Sequence, residues 1–194
     1  MKRGKLFILS GPSGVGKGTV RARLFKMVPD LVYSISCTTR KPRQGETDGV
    51  QYRFLDTDTF NSYAREGKFL EWARVHDHFY GTLRSDVEKE LGVGHNVVLE
   101  IDVQGALQVK EKIPDSIMIF LMPPNLEELE KRLAGRATEE NDALRVRLQN
   151  ASAELALSAR YDYAVVNDKI DRAASELADI FEKEIMKSKG SANL

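Results

Sequence analysis

The run Gly11-Pro12-Ser13-Gly14-Val15-Gly16-Lys17-Gly18-Thr19 combines the residue types that can grip a phosphate. Glycines let backbone N–H groups turn inward and approach phosphate oxygens with no Cβ in the way. Lys17 adds a mobile positive charge. The apolar residues 5–10 before the loop read as a β-strand, and the pattern from Lys17 onward reads as a helix. That helix offers its positive N-terminal end to the same anion. Gly18 stands where Ser or Thr commonly holds magnesium, and Thr19 comes one residue late. The loop therefore predicts nucleotide binding and leaves the metal ligand open.

A second constellation follows at Ser34-Ile35-Ser36-Cys37-Thr38-Thr39-Arg40-Lys41-Pro42-Arg43-Gln44-Gly45-Glu46. Arg40 and Arg43 lie on either side of a stiffening proline, and two guanidinium forks held close together suit a phosphate group. On residue type alone a basic loop on a neutral protein is more often simply solvated, and a phosphate loop in the same fold shifts the balance toward function. Glu100 and Asp102 end an apolar run and fall on one face of it by the two-residue strand period. Carboxylates on a buried strand need compensation, which a nucleotide with its magnesium would supply. His76, His78 and His95 match no zinc spacing, no Ser-His-Asp arrangement is suggested, and the single Cys37 reads as a small buried hydrophobe.

Positioning these groups requires a scaffold, and the apolar periodicity describes one. Strand-like runs at residues 5–10, 31–37, 96–102, 116–122 and 163–167 alternate with helical patterns at 17–27, 104–112, 126–135, 139–160 and 170–187. In the last helix, Ala174, Leu177, Ile180, Phe181 and Ile185 recur at helical spacing. Such alternation predicts an α/β fold of three layers with a central parallel sheet. Residues 38–95 break the rhythm, with strand-like stretches at 51–55 and 69–72 and a short helix from Asp58. They read as an inserted mixed α+β subdomain in a core made of 1–37 and 96–194. Lys and Arg total 29, as do Asp and Glu, a balance that argues against a generic nucleic-acid or membrane-surface binder. Residues 117–122 form the longest apolar run and stop at Pro123-Pro124, far too short to span a bilayer. With no signal-peptide pattern and one cysteine, a cytoplasmic protein is expected.

Five segments carry a family resemblance: 11–19, Ser36-x-Thr38-Thr39-Arg40-x-Pro42-Arg43-x-Gly45-Glu46, Phe69-Leu70-Glu71-Trp72-Ala73, Tyr80-Gly81-Thr82 and Glu100-Ile101-Asp102-x-Gln104-Gly105. In this order, from Leu6 to about Asp168, the chain resembles the bacterial guanylate kinases. The resemblance implies transfer of the γ-phosphoryl group of ATP to GMP, giving ADP and GDP. It implies a P-loop kinase fold in which 38–95 is the GMP-binding subdomain and about 126–150 a helical lid. Arg40, Arg43, Tyr52 and Tyr80 would hold the GMP phosphate, while Ser36, Glu71, Thr82 and Asp102 would surround guanine. The residue types agree, since a carboxylate such as Glu71 can accept guanine's adjacent N–H donors and a hydroxyl can donate to O6. Thr82 sits where the family often has Ser, and keeps the hydroxyl.

On the ATP side the resemblance assigns the whole phosphate loop, with Asn167 in an adenine-side loop. Lys17, Arg40, Arg132, Arg136 and Arg147 form the implied catalytic set, the last three reaching the ATP phosphates from the lid. Arg145 reads as surface. Magnesium would be held mainly by ATP phosphates and water, with Glu100 or Thr19 as candidate ligands. ATP and GMP are the implied partners, with no nucleic acid or membrane, and the oligomeric state is open. Two other classes remain. A kinase for another nucleoside monophosphate would keep 11–19 and lose the Glu71, Ser36 and Thr82 set. A non-catalytic guanylate-kinase-like binding module would degrade the phosphate loop, yet Lys17 and the arginines are all present.

Overall fold

The computed structural model describes residues 3–75, 77–134 and 141–190. The chain opens with β1 (Leu6–Ser10), α1 (Lys17–Met27), β2 (Leu31–Tyr33), β3 (Cys37–Thr38), β4 (Arg53–Phe54) and α2 (Thr57–Arg65). The middle holds β5 (Phe69–Val75), β6 (His78–Leu83), α3 (Arg84–Gly92), β7 (Asn96–Glu100) and α4 (Val103–Lys112). It closes with β8 (Ile117–Met122), α5 (Leu126–Ala134), α6 (Asn141–Ala156), β9 (Tyr163–Val166) and α7 (Ile170–Gly190). A five-stranded sheet has the order β2-β7-β1-β8-β9, and its β2–β7 and β8–β9 pairs are parallel. A four-stranded mixed sheet has the order β4-β3-β6-β5. Among the described residues, no helix is long and apolar enough to cross a membrane.

Two compact units emerge, Met1–Ile8 with Leu31–Ile117 and Leu9–Asp30 with Met118–Leu194. In the first, Cys37, Phe60 and Phe69 form a small core under the mixed sheet, and α4 packs on β5. Asp56 caps α2, its side chain accepting from the Thr59 N–H at 2.8 Å, so the helix starts at Thr57, one residue before the start predicted at Asp58. In the second, α1 packs on α7, and Leu129, Leu133 and Ala151 form a core between α5 and α6. The buried stripe of α7 is Ala173, Ala174, Leu177, Ala178 and Phe181, while Ile180 and Ile185 stay half-buried.

The run predicted as one strand over 31–37 is divided between the two sheets. Ser34 N–H still donates to the Val98 carbonyl at 3.1 Å, but the Ser36 carbonyl accepts from Arg53 N–H at 2.9 Å. Residues 34–36 thus hand the chain from β7 to β4, and Cys37 pairs with Arg53 and Gly81. The strand predicted over 96–102 stops at Glu100. Asp102 instead caps α4, its carboxylate accepting from Gly105 N–H at 2.7 Å, so Glu100 and Asp102 are not neighbours on one strand face. The helix predicted over 139–160 ends at Ala156, with a separate 3-10 turn at Ser158–Arg160.

Candidate functional site

The phosphate loop is local in origin and braced from afar. Gly16 has φ 96° and its carbonyl accepts from Thr19 and Val20 N–H, starting α1. A Cβ there would be strained and would meet Asn167 Nδ2 at 2.7 Å. Asn167, 3% exposed, donates from Nδ2 to the Val15 carbonyl at 2.8 Å, while its own N–H donates to Met122 O. Arg132 donates to Val15 O at 3.4 Å and to Asn167 O at 3.2 Å, and Glu128 holds its Nε. Lys17 Nζ donates to the Gly11 and Pro12 carbonyls at 2.5 and 3.2 Å. With these carbonyls engaged, the loop's remaining capacity lies toward N–H donors, the character an anion requires. Ser13 and Thr19 are exposed, Gly18 is half-buried, and Arg147 is half-buried on α6. Arg136 lies outside the described residues, as does His76.

In the other unit, the mixed sheet buries a carboxylate. A register shift between Phe69 and Glu71 interrupts the alternation of β5, so Phe69, Leu70 and Glu71 are all buried in succession. Glu71, 3% exposed, sits opposite the fully buried Thr82, whose Oγ1 donates to Glu71 Oε1 at 2.6 Å. Burial pushes the Glu71 carboxyl up from 4.5 to about 7, against the Thr82 hydrogen bond. The charge of Asp102 raises it further, and that of Lys112 lowers it. Ser36 is buried and Asp102 half-buried in the same unit.

Arg40 is committed to a partner that the motif contains but the sequence reading left without a role. Its Nη1 and Nη2 each donate to a Glu46 carboxylate oxygen at 2.9 Å, and Glu46 also accepts from Arg43 N–H at 2.7 Å. That bidentate pair raises the Arg40 guanidinium further and holds the Glu46 carboxyl below its ordinary value. The Arg40 guanidinium lies 5.4 Å from the Tyr52 ring centroid, and Tyr52 meets Tyr80 edge-on at 5.9 Å. Burial raises the Tyr52 phenol, with Glu100 contributing. The Arg43 side chain is exposed. Cys37, 1% exposed, has its thiol pushed up to about 11 by burial, which suits an inert core residue.

The family model for guanylate kinase matches residues 3–184. The chain belongs to the guanylate kinase family. It is 50% identical over 183 residues to the guanylate kinase of Lactococcus lactis, covering 94% of this chain and 89% of that one. Against the guanylate kinase of Oceanobacillus iheyensis the identity is 48% over 186 residues, covering 96% and 90%. The crystal structure of guanylate kinase from Anaplasma phagocytophilum superposes with a TM-score of 0.80 at 34% identity, over 95% of this chain and 88% of that one. This guanylate kinase scaffold thus places Ser36, Arg40, Tyr52, Glu71, Tyr80, Thr82 and Asp102 in one unit and Lys17, Arg132, Arg147 and Asn167 in the other. Sequence reading missed the bracing residue Glu46, although it closes the quoted motif, and an Arg–Glu pairing six residues apart was the available signal.

Proposed function

We propose that the chain transfers the γ-phosphoryl group of ATP to GMP, giving ADP and GDP, and that the buried Glu71 selects guanine. Glu71 carries this reading. A carboxylate held at about 7 by desolvation is short of donors, and guanine presents N1–H and N2–H side by side. Each carboxylate oxygen has two lone pairs, so Oε1 can serve Thr82 and guanine together. Adenine brings an acceptor at N1 instead and would leave the carboxylate facing a lone pair, a mismatch that discriminates by roughly 10⁴ or more. Ser36 and Asp102 complete the guanine set within the proposed GMP-binding subdomain and its borders.

Phosphoryl transfer asks the protein chiefly for positioning and electrostatics. Lys17 and the backbone N–H groups of 14–19 grip the ATP phosphates, with Asn167 and Arg132 stiffening the loop from behind. Arg40, pre-oriented by Glu46, acts with Arg43, Tyr52 and Tyr80 on the GMP phosphate. Arg132, Arg136 and Arg147 oppose charge spreading over the transferred group. GMP's phosphate is largely ionised near pH 7, so no general base is assigned. Among the described residues, no group of three or more His, Cys, Asp or Glu stands together to hold an ion. The Thr19 hydroxyl and the Glu100 carboxylate are oxygen donors of the kind magnesium takes, so the metal would be carried by ATP phosphates and water with one of them as the protein contact. Bound there, magnesium would neutralise phosphate charge. A cytoplasmic setting accords with the lone, buried thiol of Cys37.

A coupled ADP-release assay with AMP, GMP, dTMP and UMP tests the reading. GMP should be turned over far faster than the other three, and comparable use of AMP would overturn the guanine assignment.

A further inference from the structure

Helix α4 carries glycine at its third helical position, a residue that weakens a helix relative to alanine. Gly105 has no positive φ to explain it. Space does explain it. A Cβ on Gly105 would lie 2.3 Å from Glu71 Oε2 and 3.0 Å from Glu71 Cδ, with Asp102 Oδ1 at an ordinary 3.5 Å. Glu71 Oε1 is meanwhile fixed by Thr82, and Gly105 N–H is fixed by Asp102. The carboxylate therefore rests directly on the first turn of α4, against the positive end of the helix dipole.

We propose that Gly105 is a specificity-determining positioning residue, whose missing side chain is the seat for the guanine-reading carboxylate. This rests on Glu71 reading guanine. The atom displaced by a methyl group is the tip of a flexible side chain, not backbone. Gly105→Ala should accordingly leave the fold in place and push Oε2 aside by about 1 Å, the displacement that can cost about 100-fold in rate. A displaced carboxylate loses the geometry that accepts two parallel N–H donors. Inosine monophosphate keeps N1–H and O6 but lacks the 2-amino group, so it reports the second donor separately.

The experiment measures kcat/KM for GMP and for inosine monophosphate, the KM for ATP and the thermal midpoint in wild type, Gly105→Ala, Glu71→Gln and Gly92→Ala. Gly92 is a helical glycine where a side-chain methyl would point into open space, and it serves as the control. Gly105→Ala should lower kcat/KM for GMP by about 30- to 100-fold and shrink the GMP preference over inosine monophosphate, with the KM for ATP and Gly92→Ala near wild type. A purely structural role would lower both nucleotides together, and that result overturns the proposal. If Glu71→Gln loses GMP use while Gly105→Ala keeps it, the seat is wrong and the guanine reading stands. If Glu71→Gln keeps GMP use, the guanine reading itself fails. Should Gly105→Ala not fold, Gly105→Ala in the Glu71→Ala chain must fold, because with the Glu71 carboxylate gone the methyl's nearest contact is Asp102 Oδ1 at an ordinary 3.5 Å. Failure of that double variant also refutes the proposal.

Discussion

Replacing Glu71 with Gln should cripple guanylate use and stabilise the folded chain, two effects of opposite sign from one buried charge. In the folded chain the Glu71 carboxyl is raised from 4.5 to about 7, chiefly by desolvation. Between those values the folded chain keeps a proton that the unfolded chain has released, so stability falls as pH rises across this window and levels off above it. At about 1.4 kcal/mol per pH unit, the full span corresponds to about 3 kcal/mol of penalty on the ionised form at pH 8. Glutamine carries no charge to desolvate. Its Oε1 can still accept from Thr82 Oγ1, and its amide N–H groups face the negative Asp102. The variant should therefore gain up to about 3 kcal/mol over wild type near pH 8 and almost nothing near pH 4.5. Urea unfolding at several pH values reads this directly.

The functional arm runs the other way. An amide presents N–H to guanine's N–H pair, and kcat/KM for GMP should drop by roughly two to five orders of magnitude with the KM for ATP little changed. Wild-type kcat/KM for GMP, divided by the variant's to cancel titration of the GMP phosphate, should fall as pH drops below about 7, where Glu71 takes up its proton. A variant that uses GMP within a few-fold of wild type would refute the assignment. A stability difference that does not grow between pH 4.5 and 8 would refute the desolvation account.

Lys17→Ala should abolish transfer while circular dichroism and the thermal midpoint stay close to wild type, since Lys17 is a half-buried charge at the head of α1 and not a core side chain; normal turnover in that variant removes the ATP assignment. Glu46→Gln weakens the bidentate grip on Arg40 and should raise the KM for GMP by roughly 5- to 30-fold, with the KM for ATP unchanged in the same assay. Asn167→Ala withdraws one of the two donors to Val15 O, leaving Arg132, and should cost about 0.5–1.5 kcal/mol of stability, read by denaturant titration, and weaken ATP binding more than GMP binding by calorimetry.

The phosphate loop was legible because its geometry is local. Closely spaced glycines, a helix starting at Lys17 and an apolar strand before it are properties of neighbouring residues, and the structure gives Gly11, Gly14 and Gly16 positive φ and reproduces α1 at Lys17–Met27. The alternation of strands and helices was legible for the same reason, since periodicity records which face each element buries. The proposed guanine site could be named through resemblance but not built. Nothing in residues 31–37 shows that Ser34 and Ser36 take partners in different sheets, because that depends on strands more than ten residues away. The β-bulge that turns Glu71 inward beside Leu70 is a property of the β5–β6 register, and plain alternation cannot express it. Arg40 reads as a free phosphate grip until Glu46 folds back on it, and Asp102 as a strand residue until α4 needs a cap. The sequence determined which groups could carry charge and donate hydrogen bonds. Tertiary structure decided which of them lost water, and a carboxylate's affinity for its proton or for guanine follows from that loss.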